Sequence, residues 1–190
     1  MQIVIIAGSN RQGATSTKVA DYAGKRLAQQ GHQVRLFDLH AQPLPLYSPD
    51  LNAGASEPAA ALQQAMLAAD AVILATPEYH GSFSGVLKNA LDFLGQSHFS
   101  GKTVLSISTA GGPVGVSSLQ QLQAIIRNLH GINSPEWISV GGSQREAFEQ
   151  GGDFENHAGI YDRIHRALDT FADLASKLQR PATATSRVIG

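Results

Sequence analysis

Short apolar stretches alternate along this chain with segments in which apolar residues recur every three or four positions. The apolar stretches predict five strands, one that begins at Ile3 and others at 33–38, 71–75, 102–108 and 137–140. The helical spacing predicts five helices, at 15–30, 57–69, 84–94, 116–129 and 156–178. Such an alternation predicts an α/β protein with a parallel sheet and helices on both of its faces, the class of the flavodoxin-like and Rossmann-like folds.

Length and composition favour one domain and disfavour two classes of partner. The chain has 190 residues, 43% of them hydrophobic, so we expect a single domain over 1–178, with 179–190 as a flexible tail. Fourteen Lys and Arg residues stand against 15 Asp and Glu, and a net charge of −1 does not favour nucleic acid or an anionic membrane surface. The sequence has no cysteine and shows no signal-peptide pattern, which predicts a cytoplasmic protein.

The polar turn after the first predicted strand is suited to binding an anion. It reads GSNRQGATST from Gly8 onward and is rich in hydroxyl groups. In a parallel sheet the next helix points its unpaired N–H groups back at this turn. The residues expected to meet an anion there are Ser9, Arg11, Thr15, Ser16 and Thr17. The alternative interpretation is an ordinary capped loop between a strand and a helix.

The same turn excludes two kinds of nucleotide site. Gly8 and Gly13 have the spacing of a P-loop, but Ala14 and Thr15 follow where that motif needs Lys and then Ser or Thr, so a triphosphate site is excluded. The turn also lacks the GxGxxG spacing of dinucleotide-binding folds, which argues against tight NAD binding in that manner. The seven histidines show no metal-binding spacing, and no metal site is predicted.

The loop after the third predicted strand is unusual in sequence, since it reads TPEYHGSFSG from position 76. Pro77 fixes the chain direction, and the backbone from Glu78 through His80 to Gly81 can then offer N–H donors to the edge of a ligand. Tyr79 is either a flat stacking surface or a half-buried anchor of the loop. We expect Glu78 to be held by backbone groups or by a partner subunit rather than to act as a general acid.

The loop after the fourth predicted strand reads TAGGPVGVSS from position 109. Its glycine pair, Gly111 and Gly112, lets the main chain approach a flat group that a side chain would hold away. The carboxyl ends of parallel strands lie at one edge of the sheet, where ligands of this fold class bind. The three loops together therefore predict a ligand with a phosphate at one end and a planar ring at the other.

Three stretches resemble the NAD(P)H-dependent FMN reductases of the flavodoxin-like superfamily, a family that includes quinone, azo and chromate reductases. They are Gly8-Ser9-Asn10-Arg11 followed by Ser16-Thr17, the segment PEYHGS that runs into GVLKNALD, and the glycine pair at 111–112. The likeness extends from the first strand through the fourth helix. It implies a flavodoxin-like three-layer sandwich whose five-stranded parallel sheet has the order 2-1-3-4-5.

The resemblance also implies a role for each loop. The first loop would hold the FMN phosphate through Ser9, Arg11, Ser16 and Thr17, with Thr15 beside them. The second would border the isoalloxazine ring and the ribityl chain, through Pro77, Glu78, Tyr79, His80, Gly81 and Ser82. Gly111 and Gly112 would lie against the other side of the ring. The family often has Asn at the position of His80.

The implied activity is a flavoprotein oxidoreductase in which NADPH or NADH gives hydride to FMN. Electrons then pass to a small-molecule acceptor such as free flavin, a quinone, an azo compound or a metal oxyanion. The protein supplies position and electrostatics, and no residue is expected to act as a catalytic acid or base. A monooxygenase that receives reduced flavin is a further implied partner. Two alternatives remain: a flavodoxin-type electron carrier, which is usually strongly acidic, and a regulatory or interaction domain without FMN.

The resemblance further implies a homodimer or homotetramer. The predicted helix at 84–94 carries more apolar side chains than one sheet face can cover, so we expect it to form part of the subunit interface. The apolar residues concerned are Val86, Leu87, Ala90, Leu91, Phe93 and Leu94.

Overall fold

The computed structural model describes residues 1–50, 56–149 and 157–179. The strands in these ranges are β1 (Gln2–Ala7), β2 (Gln33–Asp38), β3 (Ala71–Tyr79), β4 (Ser82–Phe83), β5 (Thr103–Ala110), β6 (Ile132–Asn133) and β7 (Ile138–Gly141). The helices are α1 (Thr15–Gln29), α2 (Glu57–Ala68), α3 (Gly85–Asp92), α4 (Gln96–Phe99), α5 (Val116–Asn128) and α6 (Ala158–Leu178), with a 3-10 helix at Gly142–Phe148. The predicted tail at 179–190 lies outside the described residues apart from Gln179, as does the predicted start of the last helix at 156.

A parallel sheet forms the middle layer, and its order confirms the predicted flavodoxin-like α/β fold. The strands run β2-β1-β3-β5, and both β6 and β7 pair in parallel with the free edge of β5. The fifth strand predicted at 137–140 corresponds to β7, and β6 is an additional two-residue strand that the sequence analysis did not predict. The ladder hydrogen bonds from the N–H groups of Ile132 and Ser134 to the carbonyls of Lys102 and Val104 end before Pro135, and pairing with β5 resumes at Ile138. The described chain contains seven strands rather than five.

The third strand is longer than predicted and ends in a tight hairpin. β3 continues to Tyr79 and pairs antiparallel with β4, so that Tyr79 lies opposite Ser82. The two residues of the turn, His80 and Gly81, both have positive φ, of 51° and 71°. A two-residue hairpin with positive φ at both positions is a type I′ turn, which favours Asn followed by Gly. The prediction of a loop from position 76 to 85 is wrong here, and the hairpin forms one border of the site described below.

This turn makes His80 a position where backbone conformation governs stability. Histidine tolerates the left-handed region better than most residues, whereas a β-branched side chain does not. We expect His80→Val to lower the free energy of unfolding by about 1–2 kcal/mol. His80→Asn, the matched control, should keep or slightly raise it. Urea unfolding of the two variants measures the difference, and equal stability of His80→Val and His80→Asn would contradict this reading of the turn.

The two faces of the sheet are covered by different helices. Ile3, Ile5 and Ala7 of β1 pack with α1 and α6, while Val4 and Ile6 pack with α2, α3 and α5. All five residues are at most 3% exposed, which explains why β1 reads as one continuous apolar run. No helix in the described ranges is both long and apolar enough to cross a membrane.

The apolar side chains of α3 and the two residues after it are covered within the chain. The side chains of Leu87, Ala90, Leu91, Phe93 and Leu94 are all buried within this single chain, and Val86 is half-buried. Most of them join the core beneath α2 and α5, and the ring of Phe93 is covered edge-on by Tyr47. The expectation that this helix has surplus apolar surface is therefore wrong, because the neighbours that cover these side chains are distant along the chain and leave no trace in the local pattern. Oligomerisation itself stays a prediction.

Candidate functional site

A cleft of about 350 Å3 lies at the carboxyl edge of the sheet, where the three predicted loops meet. Seven predicted site residues line it: Arg11, Thr15, Ser16, Pro77, Glu78, Tyr79 and Gly111. Four others that the sequence did not single out also line it, namely Ala14, Thr109, Ala110 and Arg145. The remaining predicted residues are not among its lining: Ser9, Thr17, His80, Gly81, Ser82 and Gly112.

The amino terminus of α1 faces this cleft without a cap. Ala14 stands at the N-cap position, and neither a side-chain cap nor an acidic residue in the first turn satisfies the helix. The N–H groups of the first turn have no partner inside the helix. The hydroxyl oxygens of Ser16 and Thr17 are buried and make no hydrogen bond. Unsatisfied donors beside a positive helix end make this a suitable site for an anion.

Hydrogen bonds to β3 and to the residue before α3 hold the loop that precedes α1. The N–H of Gly8 donates to the carbonyl of Ala75 at 2.7 Å, and the hydroxyl of Ser84 donates to the carbonyl of Gly8. Ser9 is fully buried, and its Oγ accepts the N–H of Arg11 at 3.2 Å. Ser9 therefore shapes the turn that presents Arg11, whose own side chain is exposed and lines the cleft.

Glu78 holds the beginning of α5. Both the backbone N–H and the hydroxyl of Ser118 donate to its Oε2, each at 2.9 Å. As expected from the sequence, a backbone group holds this carboxylate, and it complements the positive end of α5. Because the carboxylate is already bound in this way, Glu78 is not placed as a free acid or base.

The tip of the β3–β4 hairpin is bound from outside the cleft. The amide of Gln121 on α5 donates to the carbonyl of Gly81 at 2.9 Å, and its oxygen accepts the hydroxyl of Ser82 at 2.6 Å. His80 is exposed at the turn. Tyr79 lines the cleft and is 45% exposed, and its ring is not stacked on another ring in the described residues.

The structure explains the glycines of the third loop in different ways. A Cβ on Gly115 would lie 2.5 Å from Oγ of Ser108, and the carbonyl of Gly112 accepts the N–H of Gly142 at 2.7 Å. Gly111 has no positive φ, and a Cβ there would meet nothing within 4 Å. Neither packing nor backbone conformation in the described chain requires glycine at 111. Its missing side chain leaves free room on the wall of the cleft.

Arg145 is the functional candidate that sequence reasoning missed. It lies on the 3-10 helix that follows β7, and its side chain is half-buried and lines the cleft. A 3-10 segment has no periodicity that the apolar pattern could reveal, and the family resemblance weakens beyond position 140. Within the described residues the cleft thus has two guanidinium groups and a single carboxylate, which is already bound by Ser118.

Comparisons with known proteins show the family to which this chain belongs. The family model described as NADPH-dependent FMN reductase matches residues 1–145. An FMN-dependent NADPH-azoreductase of Staphylococcus aureus is 34% identical over 177 residues, which cover 89% of this chain and 92% of that protein. The apo form of an NADH:FMN oxidoreductase superposes with a TM-score of 0.74 at 26% identity, covering 95% of this chain and 91% of that one.

A flavodoxin from the domain Archaea shares the fold alone. Its TM-score is 0.61 at 12% identity, and the match covers 95% of this chain and all of that one, at 100%. The family model matches well over half of the chain, and the azoreductase relative spans nearly all of it. The resemblance carried by the three loops is confirmed, and the chain belongs to the NADPH-dependent FMN reductase family.

Proposed function

We propose that this chain is an FMN-dependent NAD(P)H oxidoreductase that holds the FMN phosphate at the amino terminus of α1. The observation that carries the assignment is the pair of buried, unpartnered hydroxyl oxygens of Ser16 and Thr17 beside an uncapped helix end. Buried polar atoms without a partner are rare in proteins and call for an explanation. A phosphate provides it, since its oxygens accept hydrogen bonds from both hydroxyls and from the free N–H groups. Arg11 adds the balancing positive charge.

The rest of the cleft fits a planar ring. Gly111 leaves room on one wall, and Pro77 and Tyr79 of the hairpin form another. Glu78 lines the same region, but Ser118 binds its carboxylate, which removes an unpaired acceptor from the cleft. Gly81, Ser82 and Gly112 lie outside the lining of the cleft, and their hydrogen bonds to Gln121 and Gly142 shape the loops around it.

Gly111 offers a test that separates binding from folding. We expect Gly111→Ala to change the free energy of unfolding by less than about 0.5 kcal/mol, since the new methyl group meets nothing in the chain. The same methyl group narrows the cleft, so the affinity for both FMN and riboflavin should fall by about tenfold or more. Urea unfolding and flavin titration measure the two effects. A stable variant with unchanged flavin affinity would place the ring elsewhere.

The chain contributes binding and orientation rather than proton transfer. FMN, when bound, supplies the group that accepts hydride and passes electrons on. Arg11, the hydroxyls of Ser16 and Thr17 and the first N–H groups of α1 hold the phosphate end. The wall at Gly111 and the hairpin at Tyr79 fix the ring end, which leaves the open side of the cleft for the nicotinamide and the acceptor.

The acceptor we propose is a small aromatic molecule, with an azo compound as the first candidate. The support is the azoreductase relative, which matches 89% of this chain, together with an exposed tyrosine at the mouth of the cleft. An aromatic acceptor can stack on such a ring. Free FMN is the second candidate, in line with the description of the family.

The decisive experiment purifies the protein without added flavin, records its visible spectrum, adds FMN, and then follows oxidation of NADPH and NADH with an azo dye or free FMN. We expect flavin absorbance after FMN addition and turnover with at least one nicotinamide. Bound flavin without turnover under either nicotinamide would favour the electron carrier. Failure to bind FMN at all would favour the interaction domain.

Three further parts of the proposal concern partners and place. We propose a homodimer or homotetramer, which light scattering at micromolar concentration tests, and a monomer there would contradict it. We propose that a monooxygenase is one acceptor of the reduced flavin, which a coupled oxygenation assay can measure. We propose the cytoplasm as the compartment, since a sequence without cysteine fits a reducing environment.

A further inference from the structure

We propose that Arg145 binds the 2′-phosphate of NADPH and so sets the preference for NADPH over NADH. The inference rests on the proposed function, because it assigns one residue of the same cleft to the co-substrate. Arg145 is the second guanidinium of the cleft, and the phosphate site at α1 does not need it.

The position of Arg145 is fixed by contacts on both of its sides. Before it, Gln144 accepts a hydrogen bond from Nη2 of Arg163 at 3.1 Å. After it, the carbonyl of Ala147 accepts the hydroxyl of Tyr161 at 2.7 Å. Arg163 also donates to the carbonyl of Ser139 on β7. The 3-10 helix is therefore tied to α6 and to the sheet, while the guanidinium between these anchors faces the cleft.

The guanidinium of Arg145 makes no hydrogen bond or ion pair with another residue in the part of the chain that the structure describes. A phosphate monoester carries about −1.5 to −2 charges at neutral pH. At the α1 site, Arg11 and the helix end together supply about +1.5 of compensating charge. The FMN phosphate is thus largely neutralised without Arg145, whose charge remains available for a second anion.

The chemistry of the cleft favours a 2′-phosphate as that anion. Where a protein binds NADH, a carboxylate commonly accepts hydrogen bonds from the ribose hydroxyls. Where it binds NADPH, an arginine commonly contacts the additional 2′-phosphate. Among the described residues, the only carboxylate lining the cleft is that of Glu78, and Ser118 already binds it. A guanidinium binds a terminal phosphate through two parallel, charge-assisted hydrogen bonds. The neutral ribose hydroxyls of NADH cannot form an equally strong pair.

The test compares Arg145→Gln with Arg127→Gln, a control with the same change of charge. Arg127 is exposed in the last turn of α5, just before β6, whose Ile132 pairs with the first residue of β5. It therefore lies at the sheet edge opposite the cleft. Arg145→Lys is a second variant, which retains the charge but loses the paired hydrogen bonds. Far-ultraviolet circular dichroism checks that each variant is folded.

Two readouts are taken on the FMN-loaded proteins. Calorimetry measures the affinity for adenosine 2′,5′-bisphosphate and for 5′-AMP, which needs no turnover. Steady-state kinetics measure KM for NADPH and NADH. In Arg145→Gln we expect the bisphosphate affinity to fall, and KM for NADPH to rise, by about tenfold to a hundredfold. In the same variant, the affinity for 5′-AMP and the KM for NADH should stay within about twofold of the wild-type values. All four quantities should stay within about twofold of wild type in Arg127→Gln.

Several results would overturn the inference. Equal losses for NADPH and NADH would assign Arg145 to the shared pyrophosphate, and a selective loss of FMN over riboflavin affinity would assign it to the flavin phosphate. If Arg145→Gln kept the bisphosphate affinity, Arg145 would not bind the 2′-phosphate. A preference of the wild-type protein for NADH would likewise contradict the proposed role of Arg145. These results differ from failure of the proposed function, in which the wild-type protein itself does not bind FMN or oxidise either nicotinamide.

Discussion

Replacing Arg11 by glutamine is expected to weaken FMN binding by about tenfold to a hundredfold and to leave riboflavin binding nearly unchanged. The two flavins differ only in the phosphate, which Arg11 would contact as the fixed cation of the α1 site. In the described residues Arg11 makes no ion pair, and its side chain is exposed. The substitution therefore removes a ligand contact without removing a structural one.

Flavin fluorescence titration of both ligands measures this difference, and thermal unfolding without flavin checks that stability is retained. Arg127→Gln is again the matched control, because it removes the same charge at the opposite edge of the sheet. Equal losses of FMN and riboflavin affinity in Arg11→Gln would show that the residue acts on the ring or on the fold. The phosphate would then need another site.

The alternation of apolar stretches and helical spacing was sufficient to predict the layers of this fold. β1 is buried on both faces, so its sequence is continuously apolar and could be read as a central strand. The hairpin after β3 was harder to predict, because β4 has only two residues and the Tyr79–Ser82 pair needs a left-handed His80. No periodic pattern can reveal a two-residue strand.

The residue types could identify the phosphate loop, but they could not show which hydroxyl groups bond within the chain and which remain free for a ligand. Ser9, Ser16 and Thr17 are equivalent in a sequence pattern, since each can donate to an anion. In the structure Ser9 turns inward to accept the N–H of Arg11, whereas the hydroxyls of Ser16 and Thr17 stay unpartnered. That choice depends on the backbone path of the turn. The position of Arg145 depends likewise on contacts with α6, which lies far along the chain.

Gly8→Ala is expected to lower the free energy of unfolding by about 2–3 kcal/mol, which is the upper part of the range for overpacking. A Cβ at this position would lie 2.6 Å from Cβ of Leu87 and 2.9 Å from the carbonyl oxygen of Ala75. Neither atom is the far end of a flexible side chain, so the loop itself would have to move. Gly8 also carries the hydrogen bonds to Ala75 and Ser84 that hold the loop in place.

This displacement should reach the cleft, because the same loop continues directly to Ser9 and Arg11. We therefore expect Gly8→Ala to weaken FMN binding by at least about tenfold, in addition to its effect on stability. For stability alone, Gly111→Ala is the matched control for the added methyl group, since its Cβ meets nothing within 4 Å. Urea unfolding without flavin separates the two effects. If Gly8→Ala were as stable as Gly111→Ala, the close contact with α3 would not fix the loop, and the geometry of the phosphate site would have to come from α1 alone.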